Sequence, residues 1–290
     1  MEECKMVDAI IIGKGPAGIS AALYIKRAGC APLVIGKGIG ALEKAEAIDN
    51  YYAAGGLSGK ELAEKGIDGA AEMGIPVLDD EAVSIMFDGS LFEVKTEKEN
   101  YTSKSVLLAT GSPRKTLRIK GFEEYRGKGI SFCAVCDGFF YRGKRVALIG
   151  GGSYAAAEAA ELKHMTDDIT LFTNGAPVQK ELFDGLVIVE EPILKITGGD
   201  RAERVVTDKG TYETDGIFVA LGTASAADFA QKLGVITEQN RIVVDERFQT
   251  NVPGVFAAGD CTGGWLQIAK AVYEGARAGI AMAEWVRGRG

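Results

Sequence analysis

VDAIIIGKGPAG, residues 7–18, carries the continuous apolar run AIII at 9–12 and ends in three glycines spaced G-x-G-x-x-G, at Gly13, Gly15 and Gly18. An unbroken run of this kind reads as a strand buried on both faces of a parallel sheet. The stretch after it, ISAALYIKRAG at 19–29, has the alanine content of a helix stopping at Gly29, and APLVIG at 31–36 reads as the next strand. Strand, glycine turn, helix and strand together make a dinucleotide-type βαβ unit. Glycines let a pyrophosphate approach the backbone, and the helix start offers it free N–H groups.

The pattern occurs twice. KRVALIG at 144–150 is a second apolar strand, GGGSYA at 150–155 a second glycine turn, and AAAEAAELKHM at 155–165 a second helix. DDITLFT at 167–173 is the strand after it. Gly150, Gly152 and Ala155 fill G-x-G-x-x-A. One such match is weak evidence; two, each between a strand and a helix, predict an α/β protein with two Rossmann-like domains. Further apolar runs end at Ala109-Thr110-Gly111, in GIFVALGTA at 216–224 and in NVPGVFAAGD at 251–260, and a helical stretch closes the chain. No low-complexity linker separates these parts. The simplest layout builds one domain from residues 1–114 and 224–290 and inserts the second, 115–223, into it.

Neither turn is accompanied by every group a dinucleotide site ordinarily has. A carboxylate at the end of the second strand usually binds a ribose hydroxyl, but Gly36-Lys37 stands there in the first unit. In the second unit the strand ends Phe172-Thr173-Asn174-Gly175, with neither the carboxylate of an NAD site nor the arginine of an NADP site, and Lys180 is the only basic residue before Glu181. NAD(P)H binding is therefore doubtful.

SFCAVCDGFF at 131–140 holds Cys133 and Cys136 in a C-x-x-C, followed by Asp137. A zinc site wants four ligands; beyond the pair the chain has only His164 and the scattered Cys4, Cys30 and Cys261, so no metal is expected. Five cysteines in 290 residues do not make a disulfide scaffold, and the expected setting is reducing cytoplasm. That leaves a dithiol–disulfide couple, in which one thiolate attacks a target disulfide and the other resolves it. Asp137 reads either as a proton relay to a leaving thiolate or as a turn residue before Gly138. Asp260 reads as a helix cap or as an acceptor for a cofactor hydroxyl. His164 reads as a surface residue at a helix end, and Cys261 as packing.

The net charge of −7 with no basic stripe argues against nucleic acid as a partner. No apolar run reaches the length of a membrane span, and the acidic start MEECKMVDAIIIGKG lacks the features of a signal peptide.

In order, the glycine turn at 13–18, ATG at 109–111, CAVCDGFFY at 133–141, GGGSYA at 150–155 and VFAAGD at 255–260 resemble the low-molecular-weight thioredoxin reductases over nearly the whole chain. The resemblance implies FAD in the first domain, with Gly13, Gly15, Pro16, Ala17 and Gly18 at its pyrophosphate. It implies Ala109, Thr110 and Gly111 lining the site, Asn50 near the flavin, Asp260 on the ribityl chain and Gln267 near the isoalloxazine. It implies that Cys136 faces the flavin, that Cys133 attacks thioredoxin, and that the protein is a homodimer. NADPH-dependent members carry His-Arg-Arg where this chain has Phe172-Thr173-Asn174, and most have Arg-Gln where it has Leu266-Gln267. The AIDNYY stretch and the GDCTGGWLQIAKAVYEG ending look more like the ferredoxin-linked, pyridine-nucleotide-independent branch. The expected donor is thus reduced ferredoxin. NADPH or NADH in an unusual pocket, a reduced deazaflavin, or a non-catalytic FAD-binding redox sensor are the alternatives.

Overall fold

The computed structural model describes residues 5–111 and 117–288. Cys4 and the join between residues 114 and 115 lie outside them. The chain divides into two compact units, Met1–Arg114 with Ser225–Gly290, and Lys115–Ala224.

The first segment runs β1 (Lys5–Ile12), α1 (Pro16–Arg27), β2 (Pro32–Gly36), α2 (Gly59–Glu72), β3 (Val77–Asp79), β4 (Ala82–Phe87), β5 (Phe92–Thr96) and β6 (Asn100–Leu108). The inserted unit runs β7 (Ile130–Ser131), α3 (Ala134–Asp137), β8 (Val146–Gly150), α4 (Ser153–Lys163), β9 (Ile169–Phe172), β10 (Val187–Val189), β11 (Ile193–Gly198), β12 (Ala202–Thr207), β13 (Thr211–Glu213) and β14 (Gly216–Ala220). The chain returns with α5 (Ala226–Lys232), β15 (Thr237–Glu238), β16 (Arg241–Ile242), β17 (Val255–Ala257) and α6 (Ile268–Val286).

The first unit is built on a sheet ordered β3-β2-β1-β6-β5-β4, with β17 also paired to β6. Strands β3, β2, β1, β6 and β17 pair in parallel, and β4 and β5 add an antiparallel hairpin to β6. Ala9, Ile10 and Ile11 are fully buried, which is why the inner half of β1, Ala9 to Ile12, is apolar at every position rather than at every second one. Burying each such Ile side chain contributes roughly 1.5–3 kcal/mol. Over this sheet α1 and α6 pack in unusually close contact. A Cβ built on Gly275 would lie 2.1 Å from the Ala17 carbonyl oxygen, and one on Gly279 would lie 2.5 Å from that of Ala21.

The second unit has an all-parallel sheet, β10-β9-β8-β14-β7, and a separate antiparallel meander, β11-β12-β13. The two Rossmann-like units stand in the structure. The meander is an addition that the glycine-turn pattern does not announce. The connection from β9 to β10, residues 173–186, holds no α-helix, only a short 3-10 turn at Lys180–Leu182.

Candidate functional site

In the first unit β1 stops at Ile12 because Gly13 takes φ +118°, outside the range of ordinary side chains. Its N–H donates to the Ile35 carbonyl at 2.7 Å. A Cβ on Gly13 would sit 2.2 Å from the Ala109 carbonyl oxygen, so the end of β6 lies directly against the turn. Gly18 is equally necessary, since a Cβ there would fall 1.8 Å from the Gly13 oxygen. Gly15 differs: a Cβ there would meet nothing within 4 Å. Gly15 precedes α1, Pro16 is its first residue, and no side chain caps its free amides. An open face above a close-packed turn, with uncapped helix amides pointing into it, fits a pyrophosphate.

The other first-unit residues gather round this turn. Thr110 Oγ1 accepts from the Ala226 N–H at 2.7 Å, tying Thr110 to the start of α5, and Gly111 follows with φ +79°. A Cβ on Gly259 would lie 3.0 Å from that of Ala17, which places Asp260 beside the first turn of α1. The Gly259–Asp260 bend is held by a part-buried ion pair. Lys270 Nζ donates to the Gly259 carbonyl at 2.9 Å and to Glu274 at 3.0 Å, while Glu274 accepts from the Gly259 N–H at 2.8 Å. Asn50 Nδ2 donates to Gln267 Oε1 at 3.0 Å across 217 positions of sequence. Gln267 is the residue at the N-terminal boundary of α6, the helix that carries Lys270, and its side chain makes no capping bond. Thus Gly13 to Gly18, Ala109 to Gly111, Asp260, Gln267 and Asn50 are linked in one region of one unit.

In the second unit Cys133 and Cys136 are joined as a disulfide. Cys133 is buried and is the N-cap of α3, its Sγ accepting from the Cys136 N–H at 3.1 Å; Cys136 is exposed. Asp137 ends α3 and takes a 2.6 Å bond from Ser131 Oγ, and Ser131 in turn accepts from the Cys133 N–H at 3.1 Å. The fully buried Glu158 of α4 accepts from the Ala134 N–H at 2.8 Å and so anchors the first turn of the disulfide helix. A cleft of about 570 Å³ opens beside Asp137, lined among others by Lys128, Ser131, Phe140, Lys144 and Arg201. Val135, Phe139 and Phe140 project into solvent around the disulfide.

In the second glycine turn, as in the first, the glycine at the third position of the motif is the open one. Gly150 packs against Ala220 and Ala155, and only Gly152 faces free space. A Cβ on Gly151 would meet the Pro177 carbonyl oxygen at 3.0 Å, and the Gln179 N–H donates to the Gly151 carbonyl at 3.3 Å. The loop after β9 therefore lies against the turn. Thr173 is buried, Asn174 Oδ1 accepts from the Ile193 N–H at 2.7 Å, and Lys180 pairs with Glu190.

Sequence reasoning missed Ser131, Glu158, Lys270 and Glu274. Glu158, set between alanines in α4, and a Lys and Glu four apart in α6, were the available signals. His164 is the exposed C-cap of α4. Cys261 Sγ lies 3.2 Å from the Leu108 oxygen, and burial, followed by the Glu274 charge, pushes its thiol from 9.0 up to about 12. Reactivity belongs to the thiolate, so in reduced native protein iodoacetamide is expected to label Cys136 first and to leave Cys261 unlabelled, as peptide mass mapping will show. The raised value means that the stability this thiol contributes is full below pH 9 and is lost as pH rises toward 12.

Comparison with known proteins gives a consistent set of likenesses. The family model described as pyridine nucleotide-disulphide oxidoreductase matches residues 7–275. The thioredoxin reductase of Listeria monocytogenes is 32% identical over 297 residues, covering 96% of this chain and 93% of its own. The crystal structure of the atypical thioredoxin reductase of Desulfovibrio vulgaris Hildenborough superposes with a TM-score of 0.92 at 38% identity, covering 97% of this chain and 98% of its own. That of a ferredoxin-flavin thioredoxin reductase from Clostridium acetobutylicum gives 0.76 at 31% identity, covering 99% and 100%.

Proposed function

The chain belongs to the pyridine nucleotide-disulphide oxidoreductase family, among the thioredoxin reductases, and from that premise we propose that it passes electrons from reduced ferredoxin, through FAD and the Cys133–Cys136 pair, to thioredoxin or a similar dithiol protein. It is a flavin-dependent oxidoreductase acting on a disulfide.

One observation carries the donor assignment. The second glycine turn has the 177–179 loop against it, a buried Thr173 where a cation would grip a nucleotide phosphate, and the one basic residue between Phe172 and Glu181, Lys180, paired with Glu190. An anionic nicotinamide nucleotide would find little positive charge there. FAD can take electrons singly or in pairs, which suits a one-electron donor feeding a two-electron disulfide.

In this reading Gly13, Gly15, Pro16, Ala17 and Gly18 hold the pyrophosphate, with Ala109, Thr110 and Gly111 beside it. Asp260 takes the ribityl chain, and Asn50 and Gln267 meet the ring system. Two electrons and two protons open the Cys133–Cys136 bond. The Cys133 thiolate then attacks the partner's disulfide, and Cys136 resolves the mixed disulfide. Asp137 hands a proton to the leaving thiolate. Because Cys133 is buried in the disulfide form, it must become exposed before it meets a protein substrate. The homodimer and the cytoplasmic setting are carried over from the family.

The test is anaerobic mixing of the FAD-loaded protein with each donor in turn. Reduced ferredoxin is expected to bleach the flavin and to sustain thioredoxin reduction; NADPH and NADH at micromolar concentration are expected to do neither. The open face at Gly152 is what favours the nucleotide alternative, and rapid bleaching by NADPH would establish it. Bleaching only by reduced deazaflavin would reassign the donor. Absence of turnover with every donor and thioredoxin would leave a redox sensor.

A further inference from the structure

A dinucleotide cradle usually closes on the adenosine ribose with a carboxylate at the end of its second strand. In the first unit β2 ends in Gly36, and no side chain can stand there. A Cβ at 36 would lie 2.8 Å from the Lys14 nitrogen and 3.0 Å from its Cγ. The next residue, Lys37, is committed elsewhere, with Nζ 3.0 Å from Glu81 and 3.1 Å from Glu97.

The neighbouring strand offers what β2 lacks. β3 runs parallel to β2, and the register sets Asp79 opposite Gly36. The Asp79 carboxylate accepts from Lys14 Nζ, and Lys14 is the middle residue of the Gly13–Gly15 turn. The backbone N–H of Gly38, in the loop just past β2, lies close enough to favour its charged form. The carboxylate therefore bridges the two loops between which an adenosine ribose would lie. The Lys14 bond, acting against burial, holds its carboxyl below the usual range, so it is ionised. Lys14 is only 10% exposed, but the Asp79 side chain is 75% exposed. A carboxylate has about four lone-pair sites, and two donors leave some of them facing outward.

We propose that Asp79, on β3, accepts the adenosine ribose hydroxyls of FAD in place of the missing second-strand carboxylate. The proposal rests on FAD being the ligand of the first unit.

The test is a binding cycle on the full-length apoprotein, with Kd read from quenching of flavin fluorescence. The two ligands are FAD and an FAD analogue lacking both adenosine ribose hydroxyls. The two proteins are wild type and Asp79→Ala. Wild type is expected to bind the analogue about tenfold to a hundredfold more weakly than FAD, the worth of hydrogen bonds to a charged acceptor. Asp79→Ala is expected to bind the two alike, near the affinity of wild type for the analogue. Discrimination that persists in Asp79→Ala, or is absent in wild type, overturns the proposal. Should Asp79→Ala fold poorly, Asp79→Asn serves, with discrimination reduced but not lost; full wild-type discrimination in it overturns the proposal equally. Wild type that binds neither ligand would instead refute the FAD reading itself.

Discussion

Cys136→Ser is expected to bring thioredoxin reduction to background while the purified protein stays yellow with bound FAD. The serine keeps the geometry of α3, since the Cys136 N–H still has Cys133 Sγ as its acceptor. It removes one of the two sulfurs that store the electron pair, and without both there is neither an acceptor for reduction nor a resolving thiol. Cofactor retention follows from placement, because the candidate FAD residues all belong to the Met1–Arg114 and Ser225–Gly290 unit and the disulfide to the other. The measurement pairs steady-state thioredoxin reduction with the flavin absorbance of the same sample. Cys133→Ser is expected to be equally inactive. Turnover well above background in either variant would mean that this pair is not the route.

How much of this was legible in the sequence depends on what each residue answers to. Gly13, Gly15 and Gly18 were readable because their demands are local. A positive φ at Gly13 and a Gly13 carbonyl oxygen standing where any Cβ at position 18 would be require glycine at those two positions, Gly15 completes the spacing, and the strand and helix on either side carry their own periodicities. Cys133 and Cys136 were readable for the same reason, their partnership spanning three positions. Asn50 and Gln267 were not, since their hydrogen bond joins positions 217 apart; only likeness to a family pointed to them. Glu158 and Asp79 act through register, one brought under the disulfide helix by α4 and the other set beside Gly36 by β3. Register is decided by packing across the sheet, which no single window displays. The β11-β12-β13 meander escaped for a different reason. Its strands mix charge with short apolar stretches, as in KITGGDRAERVV, and one face alone is buried.

Gly275→Ala is expected to lower Tm by about 2–5 °C, the size of shift that overpacking of 1–3 kcal/mol produces in a chain of this length. The new Cβ would lie 2.1 Å from the Ala17 oxygen and 2.9 Å from the Ala17 Cα, both main-chain atoms of α1 that cannot rotate away. The helices must move apart, and α1 begins at the glycine turn proposed as the cofactor cradle. FAD affinity should therefore fall together with stability, read as flavin lost on gel filtration and as a lower melting temperature of what remains. Gly69→Ala supplies the control. It lies inside α2, where a Cβ meets nothing within 4 Å, so removing a helix-interior glycine should add about 0.5–1 kcal/mol and leave flavin content unchanged. If Gly275→Ala melted no lower than Gly69→Ala and kept its flavin, the contact between α6 and α1 would be looser than described, and the cradle would not depend on it.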